Sequence, residues 1–142
     1  MKSVSEIQND ISSEFEMYED WMDKYNYLIE LSRDLPQIDP KHKINDNLIS
    51  GCQSKVWLNA EFMNGRIHFT ADSDSIITKG IIALLIRVLT DRTPEEIMNA
   101  DLFFIDRIGL KQNLSPTRAN GLLSMVKQMK LYGLAYHAKA QG

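Results

Sequence analysis

One cysteine in 142 residues removes several chemistries at once. Cys52 has no internal disulfide partner, and no multi-cysteine zinc or iron–sulfur ligand set exists. The remaining roles for a single thiol are a nucleophile, an intermolecular partner or packing. Nucleotide-binding glycine loops of the G-x-x-x-x-G-K-[ST] or G-x-G-x-x-G kind are missing, as is a His-Glu-x-x-His pair. The three histidines, His42, His68 and His137, are scattered without ligand spacing. No apolar run approaches the ~20 residues of a membrane span. The opening residues, Met1 to Glu6, hold no apolar signal core, so the expected location is the cytoplasm. With a net charge of −3 there is no general attraction for nucleic acid.

What is present is an ordinary globular composition, 44% hydrophobic and 25% charged, at a length that suits one domain over residues 1–142. Charge is unevenly spread. Residues 1–39 hold 3 basic and 10 acidic side chains, and beyond Asp106 every charged residue is basic. Two arrangements meet that pattern: an acidic first helix beside a basic last one, or a basic face for an acidic protein partner.

Ile7, Ile11, Phe15, Tyr18 and Met22 fall on one helical face. A second helical run, from about Trp21 to Leu35, stops at Pro36, and the Pro- and Asp-bearing residues 36–47 read as a surface loop. Val56–Phe62 and Arg66–Thr70 are β-type runs joined through Asn64-Gly65, a strong hairpin signal. Leu48-Ile49 is positioned to add a third short strand. Between Ile76 and Leu89 the chain is apolar nearly all round, as in a buried helix, with Asp74 or Ser75 as its cap. Thr93-Pro94-Glu95-Glu96 and Ser115-Pro116 open two more helices. The last has the stripe Leu122, Met125, Val126, Met129, Tyr132 and Tyr136, and the methionines in general suit core filling. Helices, then strands, then helices define an α+β fold: an antiparallel sheet of about three strands backed on one side by helices.

Cys52 lies in Ser50-Gly51-Cys52-Gln53-Ser54-Lys55, a polar stretch between strands. A core cysteine belongs in an apolar run; this one is placed to be presented to another macromolecule. Lys55 is the nearest cation to favour the reactive thiolate. His68 alternates with Ile67 and Phe69 and reads as a solvent-facing strand position, and His137 as a cation near a helix end. Arg118, in the first turn of the last helix, stands at the unfavourable end of the dipole, and reads either as an ion-pair partner of Asp72 or Asp74 or as an exposed surface arginine. Asp74 is expected to cap the central helix beside the cysteine loop. A competing site is a cysteine-dependent hydrolase or peroxidase built from Cys52, His68 and Asp72, and a third reading is an interaction module with an incidental thiol.

Three blocks carry a resemblance. Gly51-Cys52-Gln53-Ser54-Lys55-Val56-Trp57-Leu58 is similar to the signature of the SufE family of sulfur acceptors. Ala71–Ser75 followed by Lys79–Leu85 resembles its second block, and Leu114–Leu122 its third. Trp21, Lys24-Tyr25 and Tyr27–Leu31 fit its N-terminal helical block, so the resemblance runs from Trp21 to Leu123. Ser32, Lys55 and Ser75 depart from the usual residues and leave the SufE and CsdE types undistinguished.

The resemblance implies a SufE/IscU-like fold without the further cysteines that a cluster scaffold needs. It implies a SufS-type, pyridoxal-phosphate-dependent cysteine desulfurase as partner, with the cofactor on that enzyme and none on this chain. Cys52 would accept sulfur as a persulfide, stimulate the desulfurase and relay the sulfur to an iron–sulfur scaffold complex, the chain being a monomer or homodimer and not itself an enzyme. Because a persulfide must be shielded yet reach another active site, the loop of Gly51, Cys52, Gln53, Ser54 and Lys55 is expected to be mobile, with a sheltered and an extended position. Asp72, Asp74 and Arg118 would support the contact with the partner.

Overall fold

The computed structural model describes residues 1–141. Its centre is α3 (Ile76–Leu89), whose residues Ile81, Ile82, Leu84, Leu85, Ile86, Val88 and Leu89 are all at most 1% exposed. A helix apolar on every side has to be covered on every side. The cover comes from α1 (Val4–Glu16), α2 (Trp21–Leu31), a hairpin and α7 (Pro116–Gln141). Between α3 and α7 lie three short helices, α4 (Pro94–Asn99), α5 (Phe104–Arg107) and α6 (Leu110–Asn113). The last two have no counterpart in the periodicity, because four residues are too few to show one.

The hairpin pairs β1 (Val56–Met63) with β2 (Arg66–Ser73), antiparallel, from Val56 opposite Ser73 to Met63 opposite Arg66. Asn64 and Gly65 both have positive φ, 53° and 77°, as the tight turn requires. Ile67, Phe69, Ala71 and Ser73 alternate into the core. The sheet has two strands, not three. Leu48 makes an isolated bridge to Trp57 and the Ile49 N–H donates to Val56 (2.9 Å), but the chain turns away at Ser50 before a ladder forms.

Other expectations shift in register. Met22 lies in the first turn of α2 rather than continuing α1 and is 70% exposed, and Tyr18 falls in the link after α1 ends at Glu16. The second helix ends at Leu31, and a single 3₁₀ turn, Ser32–Asp34, leads to Pro36. Ser75 caps α3 through the Thr78 N–H, while Thr93 and Glu96 form a reciprocal capping box on α4. The last helix lies on α4 and α3, whereas α1 lies on α3 and α5. The acidic first helix is answered by Arg87 of α3, whose guanidinium grips Glu14 with two bonds of 2.8 and 2.6 Å, joined by the Tyr27 hydroxyl. That arginine holds the Glu14 carboxyl below the ordinary carboxylate range. Gln8, fully buried, ties α1 to the start of α5 by donating to Asp101 O (2.9 Å) and accepting from the Phe104 N–H (3.0 Å).

Where α2 meets α3, Gly80 allows backbone-to-backbone approach: a Cβ there would stand 2.3 Å from the Leu28 carbonyl oxygen. Backbone cannot swing aside as a side chain can. Gly80→Ala is expected to lower stability by ~3 kcal/mol through overpacking, outweighing the gain of alanine in a helix. Urea unfolding of the two chains measures it, and an unchanged midpoint would show that α2 and α3 separate freely.

Candidate functional site

The cysteine loop leaves the Ile49–Val56 pairing and returns at Lys55, where Asp74 fixes it. Asp74 Oδ1 accepts the Lys55 N–H (3.1 Å), the Lys55 carbonyl accepts the Asp74 N–H (3.3 Å), and Ser73 Oγ donates to that same carbonyl (2.7 Å). Asp74 is therefore a loop anchor, with the capping role taken by its neighbour Ser75. Gly51 turns the chain at φ +88°, a conformation that side chains disfavour, and a Cβ there would meet Ser124 Oγ at 2.5 Å.

These contacts lay Cys52 against the second turn of α7. Its Sγ–H points to the Gly121 carbonyl at 3.6 Å, and the thiol is half-buried. Gly121 backs the thiol closely: a Cβ there would lie 3.5 Å from Sγ, at ordinary van der Waals contact. Cys52 is thus half-buried within a loop whose residues Ser50, Gly51, Gln53 and Lys55 are exposed. Burial pushes the Cys52 thiol above its ordinary range, and no charged side chain opposes the shift. Lys55 does not act as the expected cation: its side chain is exposed, and the site uses only its backbone.

Beside the thiol opens a cleft of about 560 Å³. Ile81 and Met125 are its apolar lining; Ser54, Ser75, Thr78, Ser115 and Thr117 line it with hydroxyls, and Gln53, Asp74 and Arg118 border it. The first turns of α3 and α7 both face it, capped by Ser75 and by Ser115, whose Oγ accepts the Arg118 N–H at 3.3 Å. Two helix N-termini on one cleft favour negative charge inside it.

Arg118 shares the cleft with Asp74 and Cys52, but the expected ion pair is not formed. Among the described residues Arg118 has no carboxylate within 4.0 Å, and its side chain is exposed. Asp72 lies elsewhere. It points to the outer face of β2, where Lys43 (2.8 Å) and Lys79 (3.4 Å) pair with it. Burial works against its ionisation, yet Lys43, the Ser73 N–H and Lys79 outweigh that and hold the carboxyl below its ordinary range. Lys43 also sits over the Trp57 ring, 4.6 Å from its centroid, closing the loop before the hairpin onto the sheet. His68 faces outward, as its alternation indicates, and pairs with Asp91 at 3.4 Å. Five residues of strand, ~17 Å, separate it from the Ser73 end beside the thiol loop. Cys52, His68 and Asp72 are not brought together, so a hydrolase or peroxidase triad is not assembled. The described residues hold no cluster of three metal-ligating side chains, and no helix among them is long and apolar enough to cross a membrane.

Ser124 and Thr78 complete the site without having been singled out by the sequence, while Ser115 read only as a helix start and Gly121 only as part of a block. The available signal was Gly121, a glycine inside a helix, which costs about 1 kcal/mol against alanine and so calls for a close neighbour.

Fold and site together define an α+β domain that holds one thiol at the edge of a polar cleft. The chain belongs to the SufE family: the family model described as "Fe-S metabolism associated domain" matches residues 9–132. It is 36% identical over 135 residues to an uncharacterized SufE-like protein of Rhizobium etli, covering 92% of this chain and 88% of that one. It is 40% identical over 119 residues to the Arabidopsis thaliana SufE-like protein 1, chloroplastic/mitochondrial, covering 83% of this chain but only 32% of the plant protein. A solution structure of a hypothetical protein from Thermus thermophilus has the same fold, with a TM-score of 0.74 at 17% identity, over 91% of this chain and 94% of that one.

The raised thiol sets the behaviour of the free protein. At neutral pH iodoacetamide is expected to alkylate folded Cys52 more slowly than free cysteine. The rate should keep climbing with pH after that of free cysteine has levelled, and the difference should vanish in denaturing urea. A neutral-pH rate equal to that of free cysteine would mean that the Gly121 contact neither shields nor shifts the thiol.

Proposed function

We propose that this chain is a sulfur acceptor for a pyridoxal-phosphate-dependent, SufS-type cysteine desulfurase and passes the sulfur to an iron–sulfur scaffold complex. The observation that carries the reading is the placement of the chain's only cysteine, half-buried against Gly121 at the edge of a hydroxyl-lined cleft, within a SufE-family domain. Membership supplies the chemistry, and the loop supplies the group.

In the transfer, the Cys52 thiolate attacks the terminal sulfur of the desulfurase's persulfide. A new S–S bond forms at Cys52 Sγ, the enzyme's S–S bond breaks, and the enzyme's own sulfur leaves as thiolate, taking up the proton that Cys52 gave. Sulfur changes hands with no net oxidation. A single thiol suits this relay, because a second one nearby would discharge the persulfide as a disulfide. The cofactor belongs to the desulfurase; this chain contributes the thiol, the loop anchors and a cleft whose helix N-termini favour an anionic sulfur. Arg118, exposed at the cleft edge with no carboxylate of its own, offers a planar donor fork to a carboxylate of the partner.

Incubation with a desulfurase and cysteine is expected to add sulfur to the intact mass of the chain. Cys52→Ser should abolish the added mass while leaving the fold in place. Full stimulation of cysteine turnover by Cys52→Ser would contradict the relay. Arg118→Ala should weaken binding or slow transfer by ~2–5 kcal/mol if its fork is buried in the complex. Titration against the desulfurase reads this, and unchanged affinity and rate would return Arg118 to an ordinary surface role.

A further inference from the structure

The outer face of α7 carries large apolar side chains that the chain leaves uncovered. Leu123, Leu131 and Leu134 are 48%, 44% and 50% exposed. With Lys127 they recur at helical spacing and form one stripe running away from the Cys52 end. Two grooves adjoin it. One, of about 300 Å³, lies between Met98, Lys130 and Leu134; the other, of about 200 Å³, lies between Ile49, Ser50 and Ser124, and Lys127 and Leu131 border both. The second groove is continuous with the cysteine loop, because Gly51 packs on Ser124.

Charge along this face has one sign. Among the described residues Lys127 and Lys130 are the only charged groups bordering either groove, and the sequence holds no acidic residue beyond Asp106. Lys130 is held at its edge by donating to the Ala100 carbonyl (2.7 Å), while Lys127 is exposed. An occupant complementary to this face presents apolar side chains flanked by carboxylates.

We infer that the Leu123–Leu134 stripe of α7 docks the cysteine desulfurase, through an apolar segment of that enzyme flanked by acidic residues. The inference rests on the relay reading. Its mechanical reason is that Cys52 must leave Gly121, and Gly51 must leave Ser124, for the thiol to enter another active site. Loop contacts are given up at the moment of transfer, so they cannot hold the two proteins in register. The stripe lies on one continuous helix and adjoins the loop without belonging to it.

The test compares wild type, Leu131→Gln/Leu134→Gln and Lys127→Glu for binding to the desulfurase of the same organism, at low and high salt, with sulfur loading of Cys52 followed by intact mass. All three sites are exposed, so thermal unfolding midpoints should coincide. The double variant is expected to bind ~10–100-fold more weakly at both salt concentrations, yet to load Cys52 at the wild-type maximal rate once the partner saturates it. Lys127→Glu is expected to bind ~3–10-fold more weakly at low salt, with the difference shrinking as salt rises. A folded double variant with wild-type affinity overturns the inference while wild-type loading leaves the relay intact. A wild-type dimer that dissociates in the double variant, with desulfurase affinity unchanged, assigns the stripe to a second copy and also overturns it. If wild type neither binds nor gains sulfur, the relay reading itself fails and the stripe assignment falls with it.

Discussion

The architecture depends on the burial of α3. Almost every side chain of that helix is apolar, so it gains stability only when enclosed, and each neighbouring element is placed to enclose some part of it. The closest approach is at Gly80, where α2 backbone rests on α3 backbone. An apolar helix must still begin somewhere, and its first N–H groups need partners. They find Ser75 where α3 begins at the surface, and the thiol loop, the end of β2 and the start of α7 meet there. The site is the polar N-terminal end of a largely buried helix.

Sheltering a thiol and making it reactive pull in opposite directions. Packing against Gly121 excludes water from Cys52 and disfavours its anion. The cleft alongside is arranged the other way, with two helix N-termini and the Arg118 guanidinium at its edge. Burial holds the resting thiol above its ordinary range, while the cleft beside it carries both the Arg118 guanidinium and the Asp74 carboxylate at its rim.

Local patterns were legible wherever local physics decides structure. The Asn64-Gly65 turn, the apolar run of α3, the capping box at Thr93 and the Ser115 start of α7 follow from neighbouring residues alone. Other features depend on residues far apart in sequence and were not legible. Cys52 looks like a displayed thiol because its neighbours are polar, yet its packing partner is Gly121. Asp74 and Ser75 are both good caps on paper, and only the return of the loop at Lys55 decides which is free to cap. Asp72 reads as a site residue from its block, but the pleat of β2 turns it to the opposite face, toward Lys43 and Lys79. The third strand was undone by brevity: one bridge at Leu48 precedes the turn that the thiol loop requires.

That loop is tied down at both ends, by the Ile49–Val56 pairing on one side and the Asp74–Lys55 bonds on the other. Cys52 stands three residues from each attachment, at Ile49 and Lys55. At ~3.3–3.6 Å per extended residue, its greatest excursion from either post is about 10 Å. The thiol is on a short tether, not a swinging arm. Any protein that exchanges sulfur with it must bring its own reacting atom to within that radius of the open end of the hairpin, so the depth of the partner's active site is limited by the length of this leash.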